Sequence, residues 1–319
     1  MFDEIKKMPK VELHLHLDGS LSIPLACELS GLNLYEVKEK MVAPLKCYNL
    51  GDYLTKFEFP ISLMQSKYNL KLITRDLLNR LALENVIYLE LRFCPLFHTK
   101  GALTCDEVVE TVLEETLNSK IKVNLILCLM RGNSWKENFK VFKCALKYLN
   151  KGVCAIDLAG DEGKYSLEMY SEFFKLAKYY NVPFTIHAGE VKCDEVEKAL
   201  ELNADRLGHG IMAINNLKVL HELKKRNVLL EVCPTSNVQT NIVSDYQNHP
   251  IKQLFDENVL ISVNTDNSSV SNITLTDEYI KLYENFHFTL DDFYKMNINA
   301  LNHSFLNDDE KSELLQKFK

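Results

Sequence analysis

The chain has 319 residues, 46% apolar and 25% charged, the balance of a folded enzyme with room for one large domain or two ordinary ones. Its 37 basic side chains face 44 acidic ones, and the net charge of −7 argues against broad electrostatic binding to nucleic acid or an anionic membrane, though not against an uncharged small molecule. Residues 1–10 mix acids and lysines without an apolar stretch, so no signal peptide is read there, and no run is apolar for long enough to span a bilayer.

In chain order, short apolar runs predict eight strands, at 11–18, 86–95, 122–131, 153–160, 183–190, 206–210, 228–237 and 260–267. Most are continuous rather than alternating, which suits strands buried on both faces of a parallel sheet. Between them, helical spacing recurs at 104–118, which opens on a cap-like T-C-D-E, and at 136–149, 166–180, 191–202 and 215–226. Strands alternating with helices predict a TIM (β/α)8 barrel with two additions. One is a helical insertion after the first strand, about residues 20–85. The other is a helical C-terminal tail from about 276 to 319, with a cap-like Asn307-Asp308-Asp309-Glu310. An open doubly wound sheet is the alternative, but the chain has neither G-x-G-x-x-G nor G-x-x-x-x-G-K-[ST]. No linker, repeat or composition break divides residues 1–319, which read as a single domain. The nine cysteines lack a CxxC pair, and most lie in apolar runs, as Cys94, Cys128, Cys154 and Cys233 do. They read as reduced core thiols of a cytoplasmic protein, not as disulfides or a thiolate zinc cluster.

The ionisable residues inside these runs carry the chemistry. His14 and His16 share one face of the first strand, because residues two apart point the same way. Such a pair is either half a metal site or two hydrogen-bonded core histidines. Further ionisable groups fall at the ends of later strands: His187-Ala188-Gly189-Glu190 on the fifth, Gly208-His209-Gly210 on the sixth, and Asn264-Thr265-Asp266-Asn267 on the eighth. Singly, HAGE could be a turn and TDN a helix cap. In a barrel all these ends converge on one rim. Burying so many ionisable groups without partners is costly, and a divalent cation removes the difficulty. Three imidazoles and a carboxylate suit one zinc ion per chain, so His14, His16, His187 and Asp266 are the expected ligands. Glu190 and His209 are the expected proton carriers beside it. Zinc brings the pKa of a bound water close to neutrality, which provides hydroxide for hydrolysis at an electron-poor carbon. The other histidines, His98, His221, His249, His287 and His303, read as ordinary polar residues.

Taken together and in order, KVELHLHLDGS, IDLAGDE, HAGE, RLGHG, EVCPTSN and SVNTDN resemble the adenosine deaminase family of the metal-dependent amidohydrolases. The tail MNINALNHSFL, followed by DDEKSELL, is similar to that family as well. The resemblance implies hydrolytic deamination of adenosine or deoxyadenosine to inosine and ammonia, in purine salvage; another 6-aminopurine, such as adenine or methylthioadenosine, is the alternative substrate. It implies that Glu190 protonates purine N1, that His209 orients the attacking oxygen, and that Asp266 both ligates zinc and directs the attack. On the substrate side, it implies that the backbone N–H of Gly160 meets N3 and that Asp18 receives the ribose 5′-hydroxyl beside His16, which would disfavour a 5′-phosphate. Known members carry a second aspartate where this chain has Asn267; an amide donates to N7 at any pH, whereas an aspartate must first be protonated. Leu50, Tyr53, Leu54 and Phe57 follow helical spacing and either line the pocket, as an apolar helix does in the family, or pack as core. Met130, at the end of the third strand, is a further pocket candidate.

Overall fold

A computed structural model describes residues 1–318 of the chain. Each expected run holds one strand, the first starting one residue before its run: β1 (Lys10–His16), β2 (Val86–Phe93), β3 (Lys122–Met130), β4 (Val153–Ala159), β5 (Thr185–Ala188), β6 (Arg206–His209), β7 (Leu229–Val232) and β8 (Ile261–Val263). All pairings are parallel, in the orders β1-β2-β3-β4 and β5-β6-β7-β8. Single parallel bridges span the two seams between these sheets, Ile156 to Phe184 on one side and Leu15 to Asp266 on the other. The eight strands thus follow the circular order of a (β/α)8 barrel.

The second-half strands are shorter than the apolar runs that contain them. The run at 228–237 leaves the ladder early, because Pro234 has no N–H to donate and instead opens the short helix Pro234–Gln239. Capping boxes start several of the outer helices, at Thr104 with Glu107, Ser134 with Glu137 and Asn307 with Glu310. The insertion between β1 and β2 folds into the helices Ile23–Ser30, Leu34–Met41, Leu50–Leu54, Glu58–Leu63 and Lys67–Leu83. The tail forms Leu275–Phe286, Leu290–Asn302 and Asp308–Leu315, and Asn297 Oδ1 accepts the N–H of Val11 at 2.8 Å, joining the tail to β1. Among the described residues no helix is long and apolar enough to cross a membrane. None of the nine cysteines is in a disulfide, and Cys94, Cys128, Cys154 and Cys233 are buried.

The barrel interior holds a layer of buried charge. Arg92 on β2 reaches Asp157 on β4 at 3.0 Å and Glu231 on β7 at 2.8 Å. Arg206 on β6 reaches the other oxygen of Glu231 at 2.7 Å and also pairs with Glu90. Removing one member of such a layer would strand its partner's charge, a loss of about 3–5 kcal/mol. This layer supports the rim described next.

Candidate active site

A cavity of about 770 Å³ opens at the C-terminal ends of the strands, a volume suited to a small-molecule site. His187, His209 and Asp266 line it, and with the fully buried His14 they offer ligand atoms that all lie within 4.8 Å of one another. His16 joins them: its Nε2 is 3.3 Å from His187 Nε2 and 3.4 Å from Asp266 Oδ1. His14 Nε2 lies 3.4 Å from the same oxygen and is buried without a hydrogen-bond partner. Four distant strand ends therefore meet, as their motifs require.

A second layer orients these groups. His14 Nδ1 lies 2.8 Å from Glu231 Oε2, and His187 Nδ1 lies 2.8 Å from Asp157 Oδ2. Arg92 touches both carboxylates, so one guanidinium steadies two imidazoles. With each Nδ1 on a carboxylate, both rings turn Nε2 into the His/Asp cluster, the usual arrangement behind metal-bound histidines. Ser236 Oγ donates to Asp266 Oδ2 at 2.7 Å. Gly208 leaves room for this packing: a Cβ there would stand 2.9 Å from His14 Cε1.

Two of the rim residues, His209 (φ 60°) and Asp266 (φ 61°), adopt left-handed backbone conformations rarely used outside glycine. Such positions cost on the order of 1–2 kcal/mol and persist where the surroundings enforce them, commonly at working sites. Here the bend turns each side chain inward as its strand ends. Burial opposes the charge on Asp266, yet His14, His209 and His16 hold its carboxyl below the usual range. Burial depresses the imidazoles of His16, His187 and His209, which favours their neutral form. For Glu190 the direction is opposite: burial, reinforced by the carboxylates of Asp266, Glu162 and Asp161, pushes it well above the usual range. Its Oε2 stands 3.8 Å from His209 Nε2.

His16, Asp18, Met130, Gly160, Glu190 and Asn267 all line the cavity, and so do Leu50, Tyr53, Leu54 and Phe57. The last four lie on the helix Leu50–Leu54 and the 3₁₀ turn Thr55–Phe57 that follows it, so they form one wall of the cavity as well as packing with Val270. Tyr53 OH and Ser271 Oγ are 2.7 Å apart, which ties this helix to the loop after β8. Gly160 has φ 103°, and a Cβ there would press on the Arg131 backbone at 3.3 Å.

Two histidines read from the sequence as ordinary are not. His98 is fully buried with Nε2 2.6 Å from Asp18 Oδ1, and His249 is buried against Asn237. Neither lies in a strand run, so the apolar-run criterion passes over both. Arg92, Asp157 and Glu231 also escaped that reading, although each sits inside an apolar strand, the same signal that exposed the rim histidines. Glu162, in LAGDE, accepts the N–H groups of Glu190, Val191 and Lys192 at 3.2, 3.0 and 2.7 Å and so shapes the loop carrying Glu190.

Fold and rim together define a (β/α)8 barrel whose strand ends gather a buried His/Asp cluster able to hold a metal ion. The profile of the adenosine deaminase family matches residues 9–319, and the chain belongs to that family. A Clostridium acetobutylicum relative named adenosine deaminase is 40% identical over 329 residues, covering 99% of this chain and 98% of its own. A Clostridium perfringens relative of the same name is 38% identical over 321 residues, covering 96% and 97%. Among solved structures, an Arabidopsis N6-mAMP deaminase superimposes with a TM-score of 0.88 at 25% identity, covering 99% of both chains. An amidohydrolase from Burkholderia ambifaria, with bound Zn, shares the fold at a TM-score of 0.90 and 19% identity, covering 99% of this chain and 91% of its own.

Proposed function

We propose that this chain, acting as a single-domain barrel, hydrolyses adenosine and deoxyadenosine at C6 of the purine, giving inosine or deoxyinosine and ammonia, as a cytoplasmic enzyme of purine salvage. The observation that carries this reading is the placement of a carboxyl biased toward its neutral form, Glu190, in one cavity with the buried His/Asp cluster. The near full-length relatives named adenosine deaminase support it. So do the purine nucleotides in solved neighbours, one of which is an ADAL–IMP complex at 25% identity and a TM-score of 0.88.

The donor set fits one zinc ion. His14 Nε2 is buried without a hydrogen-bond partner, His187 has its Nδ1 on a carboxylate, and His16 and Asp266 stand beside them. His14, His16, His187 and Asp266 would hold the ion, which when bound acidifies water and supplies a nucleophile near neutral pH. The chain's own side chains do the rest. Neutral Glu190 gives its proton to the in-plane lone pair of purine N1, which draws electron density from the ring and makes C6 more electrophilic. Asp266, held by Ser236, and His209, 3.8 Å from Glu190, face the attacked carbon and direct the incoming oxygen. Asn267 donates to N7, the N–H of Gly160 to N3, and Asp18, steadied by His98, accepts the ribose 5′-hydroxyl. Leu50, Tyr53, Leu54, Phe57 and Met130 keep water from the ring. A 5′-phosphate would meet the Asp18 carboxylate, so the nucleoside is the expected substrate.

The test is loss of the adenosine absorbance band with purified protein, before and after a zinc chelator, alongside metal analysis. Turnover that the chelator abolishes and zinc restores, with one zinc per chain, is expected. Metal-replete protein that leaves adenosine intact while consuming adenine, methylthioadenosine or AMP would replace this substrate assignment.

A further inference from the structure

The short helix after β7 presents two consecutive side chains to the rim. Ser236 holds Asp266; Asn237, fully buried, faces His209, with its Nδ2 3.1 Å from His209 Nδ1. On its other side Asn237 Oδ1 is 3.2 Å from Nε2 of the buried His249, and His249 Nδ1 is 3.1 Å from the backbone N of Ile251. This row of four groups has one unambiguous end. A backbone N–H can only donate, so His249 Nδ1 must accept. A neutral His249 then carries its proton on Nε2 and donates it, so the Asn237 atom it meets is the carbonyl oxygen. The amide nitrogen is left for His209 Nδ1, which must also accept. His209 is therefore protonated at Nε2, the nitrogen that faces Glu190 and the metal-ligand cluster.

We infer that His249 and Asn237 are positioning residues that lock His209 in its Nε2–H tautomer, setting it as a hydrogen-bond donor toward the attacking oxygen rather than as a fourth imidazole ligand. The inference rests on the deaminase reading of the site. It also gives a reason for the proposed ligand set to exclude His209 although that residue stands within the cluster: its inward nitrogen has no free lone pair. Nothing in His209's own strand dictates this. The polarity is imported from a backbone amide 42 residues further along the chain, through two side chains.

The test uses the zinc-loaded full chain with ¹⁵N-histidine and long-range ¹H–¹⁵N correlation of ring nitrogens, with His209 and His249 assigned by single substitution. In the parent both rings should show a protonated Nε2 and an unprotonated Nδ1. Asn237→Asp is the decisive variant. Its carboxylate can still accept from His249 but can no longer donate to His209, so His209 should move its proton to Nδ1. kcat should then fall by roughly 10²-fold or more, with KM changed less than about threefold, as when a catalytic histidine is held in the wrong tautomer. Asn237→Ala, which removes the tie without reversing it, should give a mixture of tautomers and a smaller loss. A parent His209 protonated at Nδ1, or an Asn237→Asp protein that keeps Nε2–H and kcat within twofold, would overturn the inference. Should Asn237→Asp fail to fold or bind zinc, the parent's nitrogen spectrum alone decides the question. If the parent does not turn over adenosine, the deaminase reading falls, while the tautomer is still read from the spectrum.

Discussion

At the scale of single residues the site biases two carboxyls in opposite directions. Although burial opposes its charge, the Asp266 carboxyl is held below the usual range beside His14, His209 and His16, while burial and neighbouring carboxylates push Glu190 well above it. In the proposed mechanism, this separation makes Glu190 the acid and Asp266 the acceptor within one cavity. Glu190→Gln should lower kcat by about 10²–10⁴-fold while leaving substrate binding largely intact, read as kcat and KM on adenosine. The direction of the pH dependence follows from the raised pKa. The donor form is present below it and is lost as pH rises through it, so the parent's kcat should fall on the alkaline side and the residual activity of Glu190→Gln should lack that fall. The sequence already showed which ionisable residues sat in apolar strands, and so His14, His16, His187, His209 and Asp266 could be found. It did not show their hydrogen-bond partners, because partnership between Arg92, Asp157 and Glu231 is a matter of barrel geometry across β2, β4 and β7, with 65 and 139 residues between contacting members.

At the scale of elements, loops and short helices position what the strands deliver. The three N–H groups of residues 190–192 converge on the Glu162 carboxylate, so Glu162→Gln, which accepts with one oxygen only, should loosen that loop. The expected result is a kcat lower by roughly tenfold with faster amide hydrogen exchange at 190–192. Unchanged exchange there would remove Glu162 from this role. The helix Leu275–Phe286 is joined to Pro234–Gln239 by buried Glu278, which accepts from Thr235 N–H at 3.0 Å and whose carboxyl burial pushes up to about 7. Folded protein binds that proton more tightly than unfolded chain does. The resulting stability is complete below the unfolded value near 4.5 and is lost as pH rises toward 7. Glu278→Gln should remove that decline. The difference in unfolding free energy between the two proteins should therefore change by on the order of 3 kcal/mol across this window, measured by denaturant titration at stepped pH. Strand boundaries were the least legible elements: the apolar run at 228–237 does not reveal that its last third is helical, since only Pro234 marks the change and proline is also compatible with a turn.

At the scale of the whole molecule, the alternation of apolar runs with helical spacing was enough to give the barrel order, because parallel strands buried on both faces leave a signature that loops and surface helices do not blur. The helices of the insertion were visible as helices, but their place over the cavity was not, since the same apolar face would serve equally well in an ordinary core. Ligand linkage gives a prediction here too. A cation gripped by residues from β1, β5 and the end of β8 binds folded protein only, so stripping it should lower the melting temperature, and graded zinc should restore it with concentration. A melting temperature indifferent to zinc would argue against a resident ion in this cluster.

The seam between the two four-stranded sheets has a consequence for how the molecule is made. There, Asp266 gives its N–H to the carbonyl of His14 at 3.0 Å and receives the N–H of His16 at 2.7 Å. The backbone that zips the last strand to the first is thus the backbone of the proposed ligands themselves. A chain lacking its final sixty residues would carry the imidazoles of β1 and β5 without the Asp266 carboxylate or the backbone seam that brings it to them. The proposed metal site is thus complete only once the final strand has closed the barrel.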